Sequence, residues 1–283
     1  MSSSHEQTQE SLLTFETAEV EAVRERIPSP GFRIPRQWLG LLLPVLLVIT
    51  WELLARGGIL AANWFPAPFA IADTLLELLR GGELARHIAY TLARVLAGFL
   101  IGSLAATLLA GITGSTPLAR WLLDPTIQAL RSIPSMAWVP LFLLWMGIHE
   151  SSKIALISVG VFFPVYLNLL SGILTVDRKL VEVGQIFKLA KVQLLRRVIL
   201  PAALPSYLVG LRSGLGLGWM FVVAAEIMGA SRGLGFLMID GQMTGRASVI
   251  IASIVLFALF GKLTDLVIEL AGNRLLGQRG MAL

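Results

Sequence analysis

The sequence predicts an all-α polytopic membrane protein with six transmembrane helices. Three observations predict it. Apolar residues make up 55% of the 283 residues and charged residues only 14%, against roughly 25% charged in a soluble chain. The apolar residues fall into blocks of about 20, the length that crosses a bilayer core of about 30 Å. Lys and Arg gather in one segment between two of these blocks.

The six blocks run from Trp38 to Ala55, His87 to Ile112, Leu118 to Gly147, Ile154 to Leu174, Ala202 to Gly229 and Ser248 to Gly272. Pro134 and Pro140 interrupt the third, so a kinked or broken helix is expected there. Between the first two, Pro68 to Arg80 reads as an amphipathic surface helix. Residues 1–37 are polar and form an N-terminal tail, with the membrane domain at 38–272 and a C-terminal tail at 273–283. The apolar run starts too late for a cleaved secretory signal. Within the tail, Glu10 to Arg26 reads equally as an interfacial helix or as an unstructured segment.

Orientation follows Lys and Arg in the segments between spans. With the N-terminus inside, thirteen fall on the cytoplasmic side and six outside. Both ends are therefore expected in the cytoplasm. Six of the thirteen lie between spans four and five, at Arg178, Lys179, Lys188, Lys191, Arg196 and Arg197.

Several chemistries find no support. The chain has no cysteine, and His5, His87 and His149 are too scattered to suggest a metal motif. No Gly-x4-Gly-Lys-Ser/Thr phosphate loop is present, nor a basic run of the kind that grips nucleic acid. An intramembrane enzyme would need a nucleophile and base at membrane depth, and none is visible. An ion-coupled carrier would need a buried acid that cycles with the ion, a role for which only Glu226 stands out.

Two stripes of small residues have helical spacing: Gly98, Gly102 and Ala106 in span two, and Gly210, Gly214 and Gly218 in span five. Such stripes let backbones approach closely. They fit packing within one subunit, a dimer interface or a sliding pathway wall. The glycines of Ala230 to Phe236 either carry this loop toward the pathway or make an ordinary turn between spans.

The segment from Thr175 to Pro201 is too amphipathic for a plain connector. Leu180, Val183, Ile186 and Phe187 share one helical face, while Lys179, Glu182 and Gln185 lie elsewhere. A second short helix is expected from Val192 to Ile199, ending against Pro201. An apolar knob outside the membrane predicts a docking partner.

This segment resembles the EAA loop of ABC importer permeases, whose pattern is Glu-Ala-Ala, three residues, Gly, nine residues, Ile-x-Leu-Pro. Glu182 takes the Glu position, and Val198, Leu200 and Pro201 match the end. Val183 and Gly184 replace the two alanines. Lys188 replaces the turn glycine, which implies a turn of negative φ or a strained one. The stretches Leu122 to Pro140, Trp145 to Lys153 and Val223 to Gly235 resemble nitrate, taurine and aliphatic sulfonate permeases. Val176 to Glu182 and Gly261 to Asp265 are most similar to the sulfonate branch.

The resemblance implies a type I ABC importer permease in the bacterial inner membrane, with a cytoplasmic coupling-helix loop. It further implies a second copy of the chain, two ATPase subunits that bind the ATP and Mg, and a periplasmic or lipid-anchored substrate-binding protein. Glu182, Gly184, Phe187, Lys188, Leu189, Val198, Leu200 and Pro201 are the expected ATPase-coupling residues. The cargo it implies is an aliphatic sulfonate, with taurine, nitrate or another small oxyanion as alternatives.

Ionisable residues inside spans are costly and mark candidate pathway positions. These are Arg94, Arg131, Arg212 and Glu226, with Met136 and Trp138 beside the Pro134 break. An arginine offers an oxyanion a bidentate fork. A buried pair or snorkelling toward the headgroups competes with that role, and Glu226 is expected to be paired with an arginine.

Overall fold

The computed structural model describes residues 36–61, 63–134 and 137–280, in which the regular elements are all helices. The tail reading for Glu10 to Arg26 and the pathway candidate Met136 lie outside the described residues. The chain divides into one compact unit up to Leu53 and another from Leu54 onward. Helix α1, Arg36–Arg56, supplies the regular structure of the first and carries Pro44 inside it.

The second unit is built on three long helices, α3 (Glu83–Ser115), α6 (Glu150–Leu174) and α10 (Leu204–Ile227). Helix α6 runs between the other two, and the glycine stripes are the reason it fits. Gly98 and Gly102 lie against Ile157, Ser158 and Val161 on one side of α6, and Gly210 and Gly214 lie against Val161, Val165 and Asn168 on the other. A Cβ at any of these four would collide with α6, so both stripes serve packing within the subunit. Val95, Ile157, Val161, Val165, Tyr166 and Val222 fill the core between them.

Helix α2 (Pro68–Arg80) has the predicted limits and starts on a proline, whose fixed φ suits a first helical position. It buries Ile71 and Thr74. The predicted third span is two helices, α4 (Pro117–Arg131) and α5 (Trp138–Met146), of 15 and 9 residues. Pro134 falls in the gap, where its ring and missing N–H forbid a continuous helix. Tyr166 donates to Asp124 at 3.2 Å, tying α4 to α6. Helix α12, Ala247–Gly280, continues past the predicted end at Gly272.

Among the described residues, four helices are long and apolar enough to cross a membrane: α3, α6, α10 and α12. The six expected spans are reduced in this respect. Pro134 leaves α4 and α5 too short individually, and the side chains of α1 are described only from Leu42. The chain is thus an all-α polytopic membrane protein.

At the end away from the 175–203 loop lies a second, smaller cluster. Leu84 of α3 and Val249 and Leu256 of α12 pack there with Leu234 and Leu237 of α11 (Leu234–Met243), flanked by Leu75 and Leu78 of α2.

Candidate functional site

Two places carry the functional candidates, one at each end of the bundle. The first is the loop. Helix α7 (Arg178–Ile186) is capped by Asp177, whose carboxylate accepts from the Lys179 N–H at 2.9 Å. Its apolar face is uncovered: Leu180 and Val183 are exposed, with Ile186 at 77% and Phe187 at 74%. The opposite side is closed, because Gly184 is buried and a Cβ there would strike Leu194. Among the described residues Glu182 bonds to Arg178 alone, one turn earlier at 3.1 Å, and both side chains are solvent-exposed.

The turn after α7 is made by Lys188 at φ 52, the left-handed region that glycine normally takes. The strained alternative holds, and the expected negative φ does not. The reason is local: Lys188 N–H reaches Gln185 O at 2.8 Å and Leu189 N–H reaches Gly184 O at 3.2 Å, a reversal closed by a residue of positive φ. Leu189 is half-buried beside Gly184.

The expected second helix, Val192 to Ile199, is instead α8 (Lys191–Leu194), a π turn (Leu195–Ile199) and α9 (Leu200–Ala202). Pro201 explains the π turn and does not end the helix. It has no N–H to give to Arg197 O and its ring crowds that carbonyl, so the preceding turn widens. Ile199 and Leu200 pack on the main core, which makes α9 the joint between the loop and α10. Val198 lies near Gly184.

The second place is a polar cluster buried at the far end. Arg94 is 3% exposed and Glu226 1%. Arg94 Nη1 donates to Glu226 Oε1 at 2.6 Å and to Arg232 O at 2.6 Å, while Nε and Nη2 clamp both oxygens of Glu150 at 2.6 and 2.7 Å. Thr91 donates to Glu226 Oε1 at 2.8 Å, and Lys153 reaches Glu150 Oε1 at 3.5 Å. Two cations thus face two carboxylates. A charge in such a place is tolerated only when paired and fully hydrogen-bonded. Three successive backbone N–H groups end in the same cluster: Gly233 on His87 Nδ1 at 3.0 Å, Leu234 on Thr91 Oγ1 at 2.9 Å and Gly235 on Glu226 Oε2 at 2.8 Å.

The remaining candidates are not gathered with these. Arg212, on α10, holds Asp265 through two bonds at 2.8 and 2.9 Å and Glu269 through one at 2.9 Å, both on α12. Arg131 is exposed at the end of α4 and donates to Gln128 at 3.3 Å. Trp138 is half-buried at the start of α5 and stacks on Phe142. Sequence reasoning missed Thr91, His87, Glu150, Asp265 and Glu269. Glu150 and His87 stand at block edges, where charge is unremarkable. A carboxylate one helical turn from Asp265 and two from Lys262, on an apolar stretch, was the available signal for Glu269.

A bundle of membrane-crossing helices joined by an amphipathic helical loop with an uncovered apolar face has the architecture of the transmembrane subunit of a transporter. The family model described as "binding-protein-dependent transport system inner membrane component" matches residues 86–277, and the chain belongs to that family. It is a multi-pass inner-membrane protein, the permease subunit of an ATP-driven ABC importer, and it forms the translocation pathway.

The chain is 39% identical over 259 residues to the putative aliphatic sulfonates transport permease protein SsuC of Bacillus subtilis, covering 92% of this chain and 93% of that one. It is 40% identical over 231 residues to the protein of the same description from Escherichia coli, covering 81% and 87%. Among solved structures it is similar to the inward-facing MetNI methionine ABC transporter, with a TM-score of 0.55 at 22% identity, covering 71% of this chain and 95% of that one. That likeness establishes the fold, the type I importer permease.

Proposed function

We propose that this permease imports small organic sulfonates. Two of its relatives, each about 40% identical over four fifths or more of the chain, are described as aliphatic sulfonate permeases, and that similarity carries the reading. Taurine and nitrate are the alternatives. In this reading the chain crosses the membrane six times, with α1 as one pass and α4 with α5 as another. Both termini lie in the cytoplasm, and two copies form the pathway.

Two ATPase subunits dock on the 175–201 loop. The supporting observation is the uncovered face of α7, where Leu180, Val183, Ile186 and Phe187 present apolar surface to water. Such a face is stable only against a partner's groove. Gly184, Lys188 and Leu189 shape the turn, and Val198, Leu200 and Pro201 pass movement into α10. A substrate-binding protein delivers the anion at the other side. Arg131, Met136, Trp138 and Arg212 are the proposed pathway contacts. Arg94 and Glu226, sealed and bonded to one another, belong to the scaffold.

The test is uptake by vesicles that hold this chain, its ATPase and its binding protein, with alkanesulfonate, taurine and nitrate compared. Alkanesulfonate uptake that requires ATP hydrolysis is the expected result. Uptake that persists with a hydrolysis-dead ATPase sinks the importer mechanism, and preference for nitrate sinks the substrate assignment. Glu182→Ala is expected to hydrolyse ATP without transport, and normal coupling in that variant removes it from the docking site.

A further inference from the structure

We propose that Glu226, Thr91 and His87 are positioning residues that clamp the first turn of α11 to α3 and α10, so that these three helices move as one body at the far end during transport. The proposal rests on the importer reading above.

The N-terminus of a helix leaves its first N–H groups without intrahelical partners. Most helices meet this need locally, with a Ser, Thr, Asp or Asn cap. Helix α11 begins at Leu234-Gly235, preceded by Gly233 at the cap position, and has no side-chain cap of its own. At ten residues it is also too short to hold its shape alone. Its three N–H groups are taken up by acceptors 9 to 146 positions away in sequence, on two other helices.

The glycines are shaped for this. Gly233 has φ 127, a conformation that disfavours a side chain. A Cβ at Gly233 would fall on the Glu226 carboxylate, and one at Gly235 on the Glu226 side chain. The triplet is a receptor for that acid. His87 also stacks on Phe236, with ring centroids 5.6 Å apart and planes within 9°, so the grip extends into the helix.

The clamp lies at the end of a direct mechanical path. Helix α10 runs without interruption from Leu204, beside the docking loop, to Glu226 and Ile227, 24 residues in all. That is about 36 Å at 1.5 Å per residue. Any displacement that α9 delivers to α10 therefore reaches α11 through the Glu226 carboxylate. Thr91 and His87 share the displacement with α3, and the Arg94–Glu150 pair shares it with α6.

The test uses the complete transporter, with Thr91→Val, Gly235→Ala and Glu226→Gln compared with the unaltered chain. Hydrogen exchange of the peptide spanning 229–243 reads the clamp directly. Loss of one of these N–H bonds, by removal of its acceptor in Thr91→Val or by displacement in Gly235→Ala, raises exchange there about tenfold, while α6 peptides stay protected. Glu226→Gln keeps an acceptor for the Gly235 N–H and is expected to retain most of the protection that Gly235→Ala loses. Uptake is expected to fall in step with exchange while ATP hydrolysis continues. Exchange equal to the unaltered chain in Thr91→Val and Gly235→Ala overturns the clamp, and faster exchange with undiminished uptake overturns its role in transport. An unaltered complex that moves none of the three anions defeats the substrate assignment instead, and the exchange comparison still decides the clamp.

Discussion

The two ends of this bundle handle their exposed and buried groups in opposite ways. At the far end Arg94, Glu226 and Lys153 are buried, Glu150 closes the cluster from the exposed side, and each carboxylate oxygen and each guanidinium nitrogen of the Arg94 cluster has a partner. At the loop end, large apolar side chains stand in the open and, among the described residues, Glu182 is bonded to Arg178 one turn earlier. The far end is complete within one chain. The loop end leaves an apolar face uncovered, where the proposed ATPase docks. Physical satisfaction thus separates a part that holds the fold from the part proposed to meet a partner.

The comparison is sharpest where a charge is removed from the complete end. Arg94→Met leaves Glu226 buried without its counter-ion, and a loss of about 3–5 kcal/mol is expected, read as thermal unfolding of the purified chain. A loss below 1 kcal/mol would mean that the cluster is hydrated and the contrast false. Gly184→Val is expected to cost about 1–3 kcal/mol by overpacking, because its side chain meets Leu194. The same assay checks it, with the loss of ATPase association measured alongside.

Lys188→Gly is expected to stabilise the turn by no more than about 1 kcal/mol. It relieves the left-handed strain but also frees the unfolded chain. A destabilised turn would show that the Lys188 side chain contributes something beyond its backbone. The smallest effect is predicted for Phe187→Ser, within about 0.5 kcal/mol on unfolding, since the side chain touches mainly water. Its consequence is expected in ATPase binding alone. A large loss of stability there would place Phe187 in the fold and erase the difference between the ends.

What could be read from the sequence followed from local composition. The apolar blocks located α3, α6, α10 and α12, Pro68 marked the start of α2, and Pro134 marked the break between α4 and α5. The apolar, uncovered face of α7 followed from periodicity. What could not be read depends on neighbours distant along the chain. Arg94 and Glu226 are 132 residues apart, and the spacing of neither names the other. Glu150 sits outside the predicted fourth span because its charge ends the apolar run, although the helix includes it. The positive φ of Lys188 follows from hydrogen bonds of the turn, which residue preference alone argues against. The π turn could have been anticipated from Pro201, since a proline met inside a helix removes a bond one turn back.

That π turn has a consequence for how the loop is measured. A wide turn holds one residue more than an α turn over nearly the same axial rise, so distance along the chain and distance along the axis disagree between Leu195 and Ile199. Deleting one residue there converts the turn to an ordinary one and keeps both flanks in phase. The same deletion inside α10 would rotate everything beyond it by about 100°. The joint before α10 is therefore a place where the sequence can change length without changing which faces meet.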